Sequence, residues 1–341
     1  MIPRVAIAIL NWNGEQLLRH YLPIVIANSQ HPDAEIVVVD NHSTDASIAL
    51  LKDEFPSVRI VALDENYGFA GGYNKALFQL ENEFVVLLNS DVAPREGWLQ
   101  PLIDVMDSDS SIAVCAPKIL DDKNRTLFEY AGAAGGYIDY LGYPYCRGRV
   151  MDTIEADNGQ YDDDADALWV SGAAFMVRRN DYLGCGGLDE DFFAHMEEID
   201  LCWRLRNAGK RIVACGQSSV YHLGGATLNT MNPHKTFLNF RNNLAMIVKN
   251  YNLKIWPLVI LFRLFLDGVA GMRYVFMGQF SFCWAIVRAH FAFYANMNAT
   301  LKKRKACRQR IVEKDLLPEI GRFSLIFRYY IQRKRLFSEL D

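Results

Sequence analysis

The sequence predicts an α/β fold in which helices cover both faces of a mostly parallel sheet, followed by a basic, amphipathic helical appendage at the C-terminal end. Short runs rich in Val, Ile and Leu alternate with helical patterns over residues 5–117. Each run is almost continuously apolar, as expected for strands buried on both faces. An uneven distribution of charge along the chain predicts the appendage.

The alternating pattern gives the elements in order. The predicted strands are VAIAIL (5–10), EIVVVD (35–40), VRIVAL (58–63), FVVLLN (84–89) and IAVCAP (112–117), and the predicted helices are 16–27, 46–54, 72–80 and 98–106. From residue 120 to 167 the pattern breaks down into a Gly- and Tyr-rich section and an acidic run, which we expect to be a solvated loop. Regular structure resumes with LWVSGAAFMVRR, a helix that begins near Glu197, and RIVACGQSSVYHLGG.

After Pro233 the sequence changes to long, aromatic-rich helical segments with Arg and Lys, which predicts domains at 1–235 and 236–341. Residues 1–240 hold 18 Lys and Arg against 34 Asp and Glu, whereas residues 241–341 hold 18 against 6. The aromatic, helical character of the basic part favours anionic lipid over nucleic acid as its partner. An ordinary helical appendage packed on the first domain is the alternative.

The second domain is expected to lie on a membrane surface without crossing it. Its longest uncharged run, Tyr274 to Val287, has 14 residues, whereas spanning needs about 20. Trp256 and Trp284 are predicted to enter the interface. The basic residues predicted to face anionic lipid are Lys302, Lys303, Arg304, Lys305, Arg308 and Arg310.

The cysteines and the N-terminal end predict a location in the reducing cytoplasm. Seven cysteines are scattered along the chain without a CxxC pair, which argues against a disulfide framework and a zinc site. The run VAIAIL is too short for the core of a signal peptide. We therefore expect a cytoplasmic protein, peripheral on the inner face of the cytoplasmic membrane.

Polar clusters follow the predicted strands and should meet at one edge of the sheet. They are NWNG after the first strand, DNHS at 40–43, NYG at 66–68 and NSD at 89–91. Ligands of open α/β sheets bind at the carboxyl ends of the strands. Asn11, Asp40, Asn41 and Ser43 are therefore candidates for holding a ligand.

Two of these clusters predict a phosphate-containing ligand. Gly68, Gly71 and Gly72 precede a predicted helix, where backbone can approach a phosphate closely. Asn89 and Asp91 point to the same side of a strand end, where hard oxygen ligands can meet a divalent cation. A dinucleotide-binding oxidoreductase is disfavoured because no GxGxxG follows the first strand, and no P-loop GK[ST] occurs.

The helix near Glu197 carries three carboxylates in one turn. Spacing puts Glu197 and Asp200 on one stripe with Arg204 and Asn207, which we expect to face solvent with an Asp200–Arg204 pair. Glu198 instead aligns with the apolar residues Leu201, Cys202 and Leu205 and is predicted to point inward, where an unpaired charge is costly.

The ordered series of motifs resembles a family 2 glycosyltransferase of GT-A fold, in the branch of rhamnosyltransferase-like enzymes. The motifs, spanning about residues 4–228, are NWNG, VVVDNHSTD, NYGFAGGYN, LLNSDV, SGAAFMVRR, GGLDEDFFAHMEEIDLCWRLRNAG and VYHLGG. The resemblance implies a metal-dependent, inverting transfer of a sugar from a nucleotide-diphosphate donor, dTDP-rhamnose or a UDP-sugar. The implied acceptor is a hydroxyl of a cell-envelope saccharide or a lipid-linked saccharide.

The resemblance also implies roles for individual residues. Asp40 matches the nucleotide-binding aspartate, and the donor loop corresponds to Asn66, Gly68 and Asn74. Asp91 matches the metal-binding Asp-x-Asp position, and His222 the histidine that completes the site for Mg²⁺ or Mn²⁺. Glu198 matches the general base.

Two positions depart from the family pattern. Asn89 replaces the first Asp of Asp-x-Asp, and Glu198 replaces an Asp. Both departures leave open a second interpretation, a catalytically silent sugar-nucleotide-binding or scaffold protein at the membrane.

Overall fold

The structure is a computed structural model that describes residues 2–224, 232–312 and 315–340. Its strands are β1 Val5–Asn11, β2 Ala34–Asp40, β3 Arg59–Ala62, β4 Phe84–Asn89, β5 Val92–Pro94, β6 Ile112–Asp121, β7 Gly136–Asp139, β8 Pro144–Cys146, β9 Arg149–Val150, β10 Thr153–Ile154, β11 Ala165–Asp166, β12 Ala174–Arg178, β13 Arg211–His222 and β14 Ile320–Gly321. Its α-helices are α1 Glu15–Asn28, α2 Ser47–Glu54, α3 Gly68–Gln79, α4 Leu99–Ser108, α5 Arg179–Cys185, α6 Glu197–Asn207, α7 Pro233–Asn250, α8 Trp256–Phe276, α9 Phe280–Ala295 and α10 Met297–Arg308.

The large sheet confirms the predicted α/β class. Its strands run in the order β11-β13-β6-β12-β4-β1-β2-β3, and β5 pairs with β13. The half from β4 to β3 is parallel, whereas β12 lies antiparallel between β4 and β6. The sheet is therefore mixed rather than mostly parallel. Because β6 and β13 run in the same direction as β4, the carboxyl ends of β1, β2, β4, β6 and β13 share one edge.

Alternate side chains of the central strands enter two hydrophobic cores. In β1, Val5, Ile7 and Ile9 pack on one face with α1, α2 and α4, whereas Ala6 and Ala8 pack on the other face with α3 and α6. Both faces of the sheet are thus covered, which explains why its strands read as continuous apolar runs.

A second, five-stranded sheet occupies the section in which the sequence pattern breaks down. Its order is β10-β9-β8-β7-β14, so a strand from near the C-terminal end of the chain completes it. Tyr137 and Tyr145 stack with ring centroids 5.7 Å apart, and Phe337 packs against both. The acidic residues 162–164 are exposed, as expected for a solvated loop.

The helices α7 to α10 pack on the sheet-containing part of the molecule. Leu244, Ile260 and Phe293 belong to the same hydrophobic core as Tyr73 of α3. None of the helices in the described ranges combines the length and apolar character needed to cross a bilayer. The helix α7 begins close to the boundary predicted at residue 235, but division into two domains stays a prediction.

Two basic residues predicted to face lipid are engaged within the protein instead. Lys303 forms ion pairs with Asp189 and with Asp191, the latter at 2.5 Å. Arg304 is buried and donates a hydrogen bond to the backbone oxygen of Val248. The prediction is wrong for these two because their side of α10 faces α7 and the segment before α6.

The other predicted interfacial residues differ in their exposure. Lys302, Lys305, Arg308 and Arg310 are exposed. Trp284 is exposed as expected, whereas Trp256 is partly buried, with the Arg304 guanidinium 5.6 Å from its ring centroid. The helices α8 and α9 nevertheless expose a series of large apolar side chains: Leu258, Leu261, Phe262, Leu264, Phe265, Val269, Met272, Phe276, Phe280, Trp284, Val287 and Phe291.

Candidate active site

The ends of β1 and β2 are joined by a hydrogen-bonded cluster around Asp40. The Asn11 amide donates to Asp40 Oδ1 and to Ser43 Oγ, both at 3.1 Å. The Ser43 backbone N–H donates to Asp40 Oδ2 at 2.9 Å. Both carboxylate oxygens therefore have a donor, and the cluster is fixed in place before any ligand arrives.

A second amide cluster extends this edge toward α3. The Asn41 amide donates to Asn66 Oδ1 at 2.9 Å and to the backbone oxygen of Gly68 at 3.0 Å. The Gly68 N–H in turn donates to Asn66 Oδ1 at 2.9 Å. Gly68 adopts φ +67°, a left-handed conformation that glycine enters without steric cost. The structure thus brings together Asn11, Asp40, Asn41, Ser43, Asn66 and Gly68.

The predicted glycine loop is wrong in its boundary, because α3 begins at Gly68 and Gly71 lies inside the helix. A Cβ on Gly71 would come within 2.9 Å of the Tyr67 Cβ, so close packing requires glycine there. Asn74 lies further along α3 and bonds to the segment before α6. Its amide donates to the Leu188 backbone oxygen and to Glu190 Oε1, both at 2.9 Å. Asn74 therefore connects the donor-loop helix to the segment that leads into α6.

The second candidate cluster lies where β4 and β13 end. His222 Nε2 is 3.2 Å from Asp91 Oδ1, and His222 Nδ1 is 3.8 Å from Glu129 Oε1. All three side chains are buried. Burial alone would lower the pKa of His222, but the two carboxylates outweigh it and raise the pKa to about 10. Glu129 was not predicted, since it carries no motif and comes close only because its segment folds back along β6.

Asp91 and His222 would form a pair of ligands for a divalent cation once the metal displaces the proton that the raised pKa keeps on His222. Their facing atoms are 3.2 Å apart, close to the about 3 Å expected of two adjacent ligands at about 2.1 Å from one metal. Within the described residues, no group of three or more His, Cys, Asp and Glu side chains is arranged to hold a metal ion. Two protein ligands suit a cation that also takes phosphate oxygens and water. Asn89 lies at the end of β4, two residues before Asp91, and is partly exposed.

Glu198 lies at the same edge of the sheet. A Cβ on Gly172 would be 3.7 Å from the Glu198 side chain, so this carboxylate packs on the backbone just before β12. The next residue, Ala173, accepts a hydrogen bond from the Asn89 backbone N–H at 2.9 Å. Gly172 and Ala173 thus link Glu198 to the end of β4 that carries the predicted metal-binding residues.

The surroundings of Glu198 make it a better base. Burial raises the pKa of Glu198 to about 7. Its Oε2 has no hydrogen-bond partner among the residues that the structure describes. The preceding His195 and Met196 have φ of +68° and +73°, a left-handed backbone that costs free energy in non-glycine residues. A strained segment therefore places a carboxylate that titrates near neutral pH.

The predicted solvent stripe on α6 is wrong. Glu197, Asp200, Arg204 and Asn207 are all buried. The helix α7 contacts this side of α6 at Asp200 and Asn207. The predicted Asp200–Arg204 pair is present at 2.8 Å. Asp200 also accepts hydrogen bonds from Lys249 at 2.8 Å and from the Asn250 amide at 2.7 Å. The helical periodicity predicted correctly which residues are neighbours on α6. It could not predict that another helix covers that side of α6.

Comparison with known proteins identifies a family model and several relatives. The model described as glycosyl transferase family 2 matches residues 6–156. The O-antigen biosynthesis protein RfbC of Myxococcus xanthus is 25% identical over 64% of this chain, which spans 17% of that protein. The N-acetylglucosaminyl-diphospho-decaprenol L-rhamnosyltransferase of Mycobacterium tuberculosis is 24% identical over 60% of this chain and 71% of its own. Rhamnosyltransferase WbbL of Escherichia coli is 24% identical over 61% of this chain and 79% of its own.

Two solved structures share the fold. The structure of GalNAc-T7 with UDP, GalNAc and Mn²⁺ superposes with a TM-score of 0.56 and 15% identity, covering 73% of this chain and 48% of that one. The mannosyltransferase PcManGT of Pyrobaculum calidifontis, in complex with GDP-Man and Mn²⁺, gives a TM-score of 0.53 and 16% identity, covering 91% and 83%. These similarities show the GT-A fold.

Proposed function

We propose that the protein is an inverting glycosyltransferase, because the model of glycosyl transferase family 2 matches residues 6–156. It moves a sugar from a nucleotide-diphosphate donor, dTDP-rhamnose or a UDP-sugar, to a hydroxyl of a cell-envelope saccharide or a lipid-linked saccharide. The relatives named as rhamnosyltransferases support rhamnose as the transferred sugar. The observation that carries the proposal is the position of Glu198, a carboxylate with a pKa of about 7 at the edge that carries Asp91 and His222.

The donor is proposed to bind along the edge from β2 to β4. The preformed cluster of Asn11, Asp40 and Ser43 would receive the nucleoside, and Asn41, Asn66 and Gly68 would line the donor loop. Gly71 and Asn74 would support that loop from α3. The diphosphate would then lie near Asn89, Asp91 and His222.

Asp91 and His222 are the residues proposed to hold Mg²⁺ or Mn²⁺. The two structural neighbours that contain Mn²⁺ support a divalent ion of this type. Such an ion offsets the negative charge that develops on a departing diphosphate. Asn89 would offer an amide oxygen in place of a carboxylate, which would give the site one negative charge fewer than an Asp-x-Asp pair.

Glu198 is proposed to act as the general base. The acceptor oxygen forms a bond to the anomeric carbon on the face opposite the diphosphate, while the bond from that carbon to the diphosphate oxygen breaks. The hydroxyl proton passes to the Glu198 carboxylate. A pKa near 7 keeps a large fraction of Glu198 ionised at neutral pH while making it a stronger base than an ordinary glutamate.

Turnover of nucleotide sugars tests this function. The full chain is incubated with radiolabelled dTDP-rhamnose, UDP-N-acetylglucosamine, UDP-glucose and GDP-mannose, with Mg²⁺, with Mn²⁺ and with a chelator. We expect at least slow donor hydrolysis with one of them, since water can replace the acceptor. Binding of a donor without hydrolysis or transfer would instead support the scaffold function.

The exposed apolar face of α8 and α9 is proposed to attach the enzyme to the inner face of the cytoplasmic membrane. We call this face the α8–α9 face and define it by Leu261, Phe262, Phe265, Phe276, Trp284 and Phe291, all exposed by more than half. Apolar helical faces of this kind lie in the lipid interface. The exposed Lys302, Lys305, Arg308 and Arg310 would add about 1 kcal/mol each near anionic lipid.

Flotation with liposomes tests the membrane proposal. Phe265→Glu should lose binding to vesicles that contain phosphatidylglycerol, because it places a charge on the α8–α9 face. Phe78→Glu is the matched control, since Phe78 is 78% exposed on α3, outside this face. Equal flotation of both variants would contradict attachment through α8. Binding that ignores both anionic lipid and salt would contradict the contribution of the basic residues.

A further inference from the structure

Phe193 is an exposed aromatic side chain that contacts the proposed donor loop. A Cβ on Gly68 would be 3.9 Å from Cδ2 of the Phe193 ring, so the ring lies against the backbone at the start of α3. The Gly68 backbone oxygen accepts a hydrogen bond at 3.0 Å from the amide of Asn41, the residue that follows Asp40. Phe193 is nevertheless 59% exposed. An apolar residue therefore borders a polar loop and keeps more than half of its surface open.

The backbone at Phe193 has a strained conformation. Its φ is +65° and its ψ is −57°, and the Ala194 N–H donates to the Phe192 backbone oxygen at 2.7 Å. These features describe a γ-turn of the rare, strained kind. A positive φ costs a bulky residue free energy that the surrounding structure must offset, and such residues cluster at functional sites. Glycine would adopt this conformation without a Cβ, so the turn itself does not explain why the residue is phenylalanine.

The helix α7 fixes this γ-turn. Asn242 of α7 is fully buried. Its amide donates to the backbone oxygens of Phe192, Ala194 and His195 at 3.0, 2.9 and 2.8 Å. The neighbouring Arg241 donates to the Phe192 oxygen at 3.0 Å. Hydrogen bonds from a buried side chain thus hold the turn in a conformation that an isolated segment would leave.

The helix α3 holds the same segment from the other side. The Leu188 N–H donates to Asn74 Oδ1 at 2.9 Å, and a Cβ on Gly71 would be 3.6 Å from the Glu190 carboxyl carbon. Contacts with α3 therefore run from Leu188 through Glu190 to Phe193. Because both helices fix the segment, the Phe193 ring is preorganised at the donor loop before a ligand binds.

The segment that carries Phe193 leads directly to Glu198. Five residues of chain limit the distance between the two Cα atoms to about 18 Å. In the proposed reaction, the anomeric carbon lies between the diphosphate of the bound donor and the acceptor hydroxyl at Glu198. A ring that contacts the donor loop, and that so short a segment joins to Glu198, borders the space for the transferred sugar.

We propose that the Phe193 ring packs on the transferred sugar of the nucleotide donor, and that the protein therefore binds the nucleotide sugar in preference to the free nucleotide. This inference rests on the proposed transferase function and adds a sugar-binding residue to it. The C–H groups of a pyranose form an apolar face, and burial of that face on an aromatic ring is favourable. Because the ring offers no hydrogen bond, it selects for an open C–H face of the sugar and not for a nucleobase.

Titration calorimetry with nucleotide sugars and with the matching free nucleotides tests this contact. The donors are dTDP-rhamnose, UDP-N-acetylglucosamine, UDP-glucose and GDP-mannose with Mg²⁺, and the donor that the wild type binds most tightly is compared with its own nucleoside diphosphate. Phe193→Leu should weaken binding of the nucleotide sugar by about tenfold, the upper range of one aromatic contact, and change binding of the free nucleotide by less than about twofold. Phe193→Trp should retain both affinities. Phe78→Leu is the control, since Phe78 is 78% exposed near the other end of α3.

The pattern of losses decides the inference. A loss confined to the nucleotide sugar in Phe193→Leu, with both affinities unchanged in Phe78→Leu, supports it, and the retained binding of free nucleotide shows that the variant folds. Equal affinities of Phe193→Leu and wild type overturn it. An equal loss for the nucleotide sugar and the free nucleotide also overturns it, because the ring would then act on the nucleotide or on the whole site. Donor hydrolysis by the wild type separates the two proposals. Selective loss of sugar binding without any hydrolysis or transfer would leave the sugar contact and overturn the transferase function, whereas a wild type that binds none of the four donors would overturn both.

Discussion

Two carboxylates two residues apart on α6 have opposite surroundings. Asp200 is fully buried and accepts hydrogen bonds from Arg204, Lys249 and Asn250. Burial alone would raise the pKa of Asp200, but Lys249 and Arg204 outweigh it and lower the pKa. Glu198 lacks such cationic partners in its hydrogen bonds among the described residues, and burial raises its pKa to about 7.

This difference teaches that the number of acidic residues in a helical turn says little about their roles. A carboxylate surrounded by donors is held in its charged form and ties elements together. A carboxylate that is desolvated without cationic partners is available to accept a proton. Asp91 is intermediate in its number of partners, since it has one ion-pair partner among the described residues, His222 at 3.2 Å.

The largest expected effect is the loss of stability on substitution of Asp200. Asp200→Asn should lower the free energy of unfolding by about 3 kcal/mol, because it leaves the buried Arg204 and Lys249 with less compensation. Denaturant unfolding measures the change. Glu83→Gln is the control, since Glu83 pairs with Arg4 on the surface and should cost less than about 1 kcal/mol. Equal losses of unfolding free energy in the two variants would contradict the structural role assigned to the buried ion pairs of Asp200.

The lowered pKa of Asp200 also predicts the direction in which its contribution to stability changes with pH. Its stabilising contribution is fully present above the pKa of the unfolded state and is lost as the pH falls through the lower folded-state pKa. The stability difference between wild type and Asp200→Asn should therefore shrink on acidification. A difference that grows as the pH falls below 4 would contradict this sign.

The next effect is on transfer, at the Glu198 end. Glu198→Gln keeps the shape of the side chain but cannot accept the proton, so transfer should fall by about 100-fold or more. Donor binding should change little. Glu197→Gln is the control on the same turn of α6. If Glu197→Gln abolished transfer while Glu198→Gln remained active, the general base would be Glu197 and the assignment of Glu198 would be wrong.

A smaller effect is expected at Asp91, the intermediate case. Asp91→Asn should reduce the affinity for the activating metal by about 10-fold or more, because loss of a ligand weakens a site at least as much as loss of an outer partner. His222 would still offer a ligand. Metal titration of donor hydrolysis measures this change, and the melting temperature should stay within about a few degrees. Unchanged metal stimulation in Asp91→Asn would contradict the ligand role.

The sequence predicted the elements and the shared edge well because both depend on local patterns. Continuous apolar runs identified β1, β2, β3, β4 and β6, and the polar residues that follow parallel strands must meet at one edge. The order of the motifs added the resemblance to family 2 glycosyltransferases. Strand patterns and motif order together were sufficient to predict the cluster around Asp40 and the proximity of Asp91 to His222.

What the sequence missed depends on contacts between distant segments. Asp200 is covered by α7, which lies about 40 residues away in the chain from α6. The strands of the small sheet have two to four residues, too few to show periodicity. Glu129 became a candidate only when its segment was seen to fold back along β6. Gly71 was placed in a loop because glycine usually interrupts helices, whereas here it allows close packing.

The pH dependence of transfer tests most directly the claim that Glu198 is a desolvated base. A base must be ionised, so kcat/KM for the acceptor should rise with pH through an apparent pKa of about 7 and then level off. In Glu198→Gln this acid limb should disappear while the residual rate stays nearly independent of pH between 5 and 8. An acid limb that remains at the same pH in Glu198→Gln would show that another group titrates, and would contradict the assignment of Glu198.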